Sequence, residues 1–189
     1  MYVFEGQTAN DAWSAAAAKF AGEIPRAQAS RAGSTREILH TAFTIRHPTD
    51  RWVFARRPAI NPAFAIAETV WILAGRDDSA LPNHWNPELP RYTGHGEHYH
   101  GAYGHRLRRR FGFDQLERAY LALRNNPVSR QVVLQIWDPN FDFPDEYGQP
   151  ANQDIPCNVL SMLKVRDGKL EWTQVMRSND LFTDLCGGC

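Results

Sequence analysis

The chain has 189 residues, 43% of them apolar, with 21 basic and 21 acidic side chains. Such a length buries one sizeable core in a single domain spanning residues 1–189, and a formal charge of zero supplies no long-range field that would draw nucleic acid. No apolar run approaches the roughly 20 residues that cross a bilayer, and the start MYVFEGQTAND lacks the basic and then apolar pattern of a secretory leader, so a cytoplasmic protein without membrane contact is expected.

Thr8 to Gly22 reads as a helix, opened by a Thr8/Asp11 capping pattern and carrying Trp13, Ala17 and Phe20 on one face. Ile24 to Arg36 reads as a loop holding Arg26, Arg31, Gly33 and Arg36. Glu37 to Phe54 contains β-suited residues broken by His47-Pro48-Thr49-Asp50, which predicts two short strands. Asn61-Pro62 opens a second helix that Gly75 closes, with Phe64, Ala67, Val70, Trp71 and Ala74 on one stripe, so this helix is expected to be buried and central. Glu68 lies inside it. A carboxylate in an apolar helix must be paired, near water or functional, and the residues alone leave a structural and a catalytic role equally open.

Arg76 to His100 reads as a long polar loop. His84, His95, His98 and His100 carry no metal assignment, because no cysteine lies near them and no capped element places them together. Tyr99 to Arg110, YHGAYGHRLRRR, ends in a run from Arg108 to Arg110 that reads as a solvated face. Asp114 caps a third helix bearing Leu116, Ala119, Tyr120 and Leu123, which ends near Asn125-Asn126-Pro127. Ser129 to Trp137 alternates as a strand does, and Asp138 to Gln153 is a loop delivering the chain to Cys157.

The central feature is a hairpin. Asp167-Gly168 tolerates positive φ at both turn positions and is flanked by runs rich in Val, Leu, Met and Trp. A two-residue turn pairs Arg166 with Lys169 and Lys164 with Glu171, and farther out sets Cys157 opposite Ser178 and Asn158 opposite Arg177, unless a bulge shifts the register by one. A guanidinium beside a thiol favours the nucleophilic thiolate and is shaped to hold a phosphate. Cys157 is thereby a candidate nucleophile, the alternative being a small buried apolar residue. Three cysteines are too few for a disulfide framework in a chain this long. Cys186-Gly187-Gly188-Cys189 has redox or zinc spacing but lacks a second pair, and it reads first as an irregular terminus.

Ile155-Pro156-Cys157 followed by Arg177-Ser178-Asn179-Asp180, with Ser129-Arg130, Ile136-Trp137-Asp138 and Asp167-Gly168-Lys169, resembles the thymidylate synthase family, which includes pyrimidine nucleotide hydroxymethylases. The resemblance runs from about Arg31 to Phe182. It implies an α+β fold in which a mixed β-sheet with the central hairpin is covered by the helices at 9–21 and 62–74. It also implies one-carbon transfer from 5,10-methylenetetrahydrofolate to carbon 5 of a pyrimidine nucleoside monophosphate, dUMP to dTMP in a synthase, through a covalent Cys157 adduct. By the same resemblance Glu68 and Tyr103 handle protons, while Arg31, Arg130, Arg177 and Ser178 hold the phosphate. Asp180 shapes the pyrimidine side, Trp85 lines the site, and Arg130 reaches the neighbouring subunit of a homodimer.

The chain departs from the family pattern at several places. Gln131 stands where many members carry a second arginine, Asn158 where many carry His, and Met176 where many carry Gln. Beyond Phe182 the family continues with a base-reading loop and helix, a ribose-binding His-x-Tyr pair and a folate-closing tail, none of which appears before Cys189. A cytidylate hydroxymethylase and a non-catalytic nucleotide-binding fragment are therefore the alternatives, and the 189-residue chain alone is expected to lack synthase activity.

Overall fold

The computed structural model describes residues 1–22, 26–30 and 33–182. They form two compact units, Met1–Asn61 with the segment from Asp180, and Pro62–Asn179. Arg31, Cys186 and Cys189 lie outside the described residues.

In the first unit the Thr8 N–H donates to the Asp11 carboxylate at 2.9 Å and the Asp11 N–H donates to the Thr8 hydroxyl at 3.2 Å, the reciprocal cap predicted for helix α1 (Ala9–Gly22). α1 packs on β1 (Tyr2–Gly6), which pairs in parallel with the strand Thr41–Ile45. Trp13 and Val53 form the core here, flanked by Ile60 and Leu181, and the Trp13 indole N–H donates to the Leu181 carbonyl at 2.8 Å.

Two expectations fail in this unit. The segment read as a loop contains β2 (Arg26–Ser30) and β3 (Gly33–Glu37), paired antiparallel with Arg26 facing Glu37. Their side chains are almost all exposed, so the apolar alternation that marks a half-buried strand has no reason to be present. Of the two strands expected between Glu37 and Phe54 the first forms, as β4 (Thr41–Ile45). The second does not, because the Phe54 and Ala55 N–H groups donate to the Asn10 side-chain oxygen at 2.8 and 2.9 Å rather than to a ladder.

The second unit is built on α2 (Pro62–Leu73), α3 (Ala80–Trp85), α4 (Pro90–Thr93) and α5 (Tyr103–His105), which runs on into a wide π-helical turn at Arg106–Arg110. After these come α6 (Gln115–Asn125), β5 (Val133–Gln135), α7 (Pro139–Asp142), β6 (Asn158–Arg166) and β7 (Lys169–Met176). The strands form an antiparallel sheet in the order β5-β6-β7, so parallel and antiparallel pairing are both present in an α+β chain.

Asp167 and Gly168 adopt φ of 50° and 72°, Arg166 faces Lys169, and Lys164 faces Glu171, as the turn chemistry predicts. The register then slips. Leu160 faces Val175 but Asn158 faces Met176, leaving Val159 as an extra residue whose carbonyl accepts the N–H groups of both Ile136 and Trp137 at 3.0 Å. The expected facing of Cys157 with Ser178 and of Asn158 with Arg177 is thus wrong by one residue.

One face of the sheet carries Leu134 and Leu163, which join Val132, Ile136, Leu107 and Ala119 in the main core. α6 covers this face, its N-terminus capped by the Asp114 carboxylate accepting the Glu117 N–H at 3.0 Å. α2 reaches the same core through Ile72, whereas α1, expected over the hairpin, packs within the first unit on β1 and β4. Phe64 and Trp71 of α2 are buried, but Ile66, Val70 and Leu73 are exposed, so the helix is not buried all round. Tyr120 also lies exposed on its helix. The loop expected at 76–100 contains α3 and α4, each under two turns and too short to show a readable period.

Candidate functional site

The bulge decides what meets at the mouth of the hairpin. With Val159 extruded, the Arg177 N–H donates to the Cys157 carbonyl at 2.9 Å. The Arg177 side chain turns the same way. Its Nε donates to the Pro156 carbonyl at 2.9 Å and its Nη2 to the Ile155 carbonyl at 2.7 Å. A cation is therefore fastened to the two residues that precede the half-buried Cys157, while its own surface stays exposed. Ser178 follows it, also exposed.

Two glycine contacts bring further candidates to this loop. A Cβ on Gly104 would lie 2.3 Å from the Ile72 carbonyl oxygen and 2.7 Å from the Ile72 Cα, so the backbones of α5 and α2 touch, and only glycine permits it. Tyr103 precedes that contact directly and Glu68 lies one helical turn before Ile72. Three residues before Cys157, the Asp154 carboxylate accepts the Gly101 N–H at 2.7 Å. The segments bearing Glu68, Tyr103, Cys157 and Arg177 are thus joined in one unit. Glu68, Tyr103 and Cys157 are each half-buried.

The remaining candidates lie elsewhere. Trp85 ends α3, which packs on α2, and its partly exposed ring stands edge-on to His84 at 5.2 Å. Arg130 is exposed just before β5. Asp180 belongs to the first unit, where its carboxylate accepts the Phe182 N–H at 2.7 Å. Arg31 is outside the described residues, as are the two terminal cysteines.

Sequence reading missed a buried ionic cluster. The Arg106 guanidinium, 2% exposed, pairs with the fully buried Asp142 carboxylate at 2.6 Å, and His100 Nε2 meets the same carboxylate at 2.7 Å. Burial pushes the Asp142 carboxyl up, but hydrogen bonds from Arg106, the Asp138 N–H and His100 outweigh it and hold the group below the ordinary carboxylate value. These partners are scattered along the chain, so neither periodicity nor a motif links them. The Gly101 and Gly104 pair, three apart and each at a close backbone approach, was the available signal.

The arginine run is also less solvated than expected. Arg108 pairs with Asp114 at 2.5 Å, and Arg110 lies 3.4 Å from the Asp138 carboxylate and 3.7 Å over the Phe141 ring. Among the described residues no group of three or more His, Cys, Asp or Glu side chains is arranged to hold a metal ion, and His98 pairs with Asp77 at 3.2 Å. No described helix is long and apolar enough to cross a membrane.

The sequence profile of the family described as Thymidylate synthase matches residues 32–186. A deoxyuridylate hydroxymethyltransferase of Bacillus phage SP01 is 34% identical over 163 residues, covering 81% of this chain and 42% of its own length. A second protein of that name, from Pseudomonas phage M6, is 35% identical over 135 residues, covering 71% of this chain and 37% of its own. A provisionally named thymidylate synthase from Methanothermobacter thermautotrophicus is 28% identical over 189 residues, covering 96% of this chain and 76% of its own. The chain spans about two fifths of the length of the two phage relatives. With most of its residues inside the profile, the chain belongs to the thymidylate synthase family.

Proposed function

We propose that this chain is one family domain that transfers a one-carbon unit from 5,10-methylenetetrahydrofolate to carbon 5 of a pyrimidine nucleoside monophosphate, with dUMP converted to dTMP. The observation that carries the reading is the Arg177 clasp on the two carbonyls before Cys157, which fastens a cation to the backbone leading into the candidate nucleophile. In this reading the Cys157 thiolate adds to carbon 6 and makes carbon 5 nucleophilic. Carbon 5 attacks the methylene carbon as one of that carbon's bonds to folate nitrogen breaks, and a proton leaves carbon 5 as the second such bond breaks and tetrahydrofolate departs. Hydride from tetrahydrofolate then reduces the exocyclic methylene to methyl while the ring double bond re-forms and the cysteine is expelled, leaving dihydrofolate. Glu68 and Tyr103 manage the protons.

The phosphate falls to Arg177, Arg130, Ser178 and Arg31. A guanidinium has five N–H donors, and the carbonyls of Ile155 and Pro156 take two from Arg177, which leaves donors for an oxyanion. Asp180 and Trp85 shape the pyrimidine side. The sheet face away from the main core exposes Val133 and Val175, which supports a homodimer in which Arg130 serves the neighbouring site. A cytoplasmic location accords with this metabolism.

A second reading is hydroxymethylation, in which water rather than hydride completes the transfer. The two phage relatives named deoxyuridylate hydroxymethyltransferases favour it. Incubation with methylenetetrahydrofolate and either dUMP or a cytidine monophosphate separates the products, since dihydrofolate accompanies only methyl transfer. Replacing Cys157 with Ala in a full-length version is expected to abolish turnover and spare nucleotide binding. Retained turnover would refute the covalent mechanism.

A further inference from the structure

We propose that His100, Asp142 and Arg106 form a positioning bracket that fixes the Tyr103 segment and, through the Gly101 to Asp154 hydrogen bond, the loop bearing Cys157. The inference deepens the one-carbon reading and rests on it for the roles of Tyr103 and Cys157.

The bracket is saturated. Arg106 Nε and Nη2 donate to the His100 carbonyl at 3.1 and 2.8 Å, Nη2 and Nη1 donate to the Asp142 carboxylate at 2.9 and 2.6 Å, and Nη1 donates to the Ile136 carbonyl at 2.9 Å. These bonds match the five N–H donors of a guanidinium. Asp142 accepts two of them, together with His100 Nε2 at 2.7 Å and the Asp138 N–H at 2.7 Å, which fills its roughly four lone-pair sites. With the carboxylate ionised, His100 is the donor at Nε2.

His100 and Arg106 stand three residues to either side of Tyr103, so both ends of that segment are tied to one buried carboxylate. The next rung is the Gly101 N–H on Asp154, where a Cβ on Gly101 would lie 2.8 Å from Asp154 Oδ1 and 3.0 Å from the Asp154 carbonyl oxygen. Asp154 leads into the Ile155 and Pro156 carbonyls that Arg177 holds. Buried ion pairs contribute little net stability relative to apolar packing, and their best-supported use is to specify one geometry. Here the specified geometry is the spacing between two candidate catalytic segments.

The test uses His100→Leu, His100→Gln and Asp154→Ala in the full chain, because removing either charge of the Arg106–Asp142 pair leaves the other buried and lowers stability as a whole, which would blur a local readout. His100 is 24% exposed, so its replacement removes a hydrogen bond without opening a cavity. In His100→Leu and Asp154→Ala that remain folded by circular dichroism, amide exchange at residues 101–104, 155 and 157 should accelerate, and peptide-resolved alkylation of Cys157 should change by about tenfold. His100→Gln, which restores a donor to Asp142, should return both readings to the unaltered level. Exchange and alkylation within twofold of the unaltered chain in both loss variants would overturn the bracket, even if the melting temperature fell. Failure of a version spanning the full length of the phage relatives to turn over a pyrimidine nucleotide would count against the one-carbon reading and is read separately from these two measurements.

Discussion

The Arg177 N–H donates to the Cys157 carbonyl at 2.9 Å, and the Arg177 side chain returns to the carbonyls of the two preceding residues. One residue thereby holds the cysteine loop by backbone and side chain together. Replacing Arg177 with Ala removes two charge-assisted hydrogen bonds, which at an exposed site amounts to about 1–2 kcal/mol of stability by urea denaturation. Replacing it with Lys should recover little, because an ammonium cannot span two adjacent carbonyls as a planar fork does. Nucleotide binding measured by calorimetry should weaken in both variants.

The hairpin shows what the sequence made legible and where it stopped. Asp167-Gly168 announced both the turn and the pairing of Lys164 with Glu171, because positive φ is a local demand that few residues meet. The bulge at Val159 was unreadable, since it is set by two N–H groups arriving from Ile136 and Trp137, just past the end of β5. The same division holds at the site. Cys157 and Arg177 were visible through motif and turn geometry, whereas Arg106, Asp142 and His100 come together only through tertiary packing.

Gly168 offers a local test of the turn. Its φ of 72° strains any residue with a Cβ, so Gly168→Ala should destabilise the chain by about 1–2 kcal/mol, read as a fall in the urea midpoint. No steric contact adds to this, because nothing lies within 4 Å of the added Cβ.

Gly104 makes the opposite prediction about cause. Here the obstacle is steric, with the Ile72 carbonyl oxygen 2.3 Å from an added Cβ, so Gly104→Ala must push α5 away from α2. The expected loss is about 2–3 kcal/mol, as for an overpacked core. Because the contact joins the Glu68 helix to the Tyr103 segment, turnover should fall more than nucleotide affinity does. Equal losses in both would indicate global rather than local disturbance.

Asp142 supplies the pH-dependent prediction. Burial raises its carboxyl, but the hydrogen bonds from Arg106, the Asp138 N–H and His100 prevail, so its folded value lies below the roughly 3.9 of an unfolded aspartate. A depressed carboxyl contributes stability that is fully present above the unfolded value and is lost as pH falls through the folded one. Asp142→Asn leaves the Arg106 cation buried without its counter-charge, which costs about 3–5 kcal/mol near neutrality. Other acidic groups, Asp114 among them, titrate in the same acid range, so the informative quantity is the difference between the two proteins rather than either curve alone. In urea unfolding that difference should stay flat from pH 7 to 5 and narrow below about pH 4, where the unfolded chain protonates Asp142 while the folded protein still holds it ionised. A gap that is constant through the acid range would show that the carboxylate charge contributes nothing to the bracket.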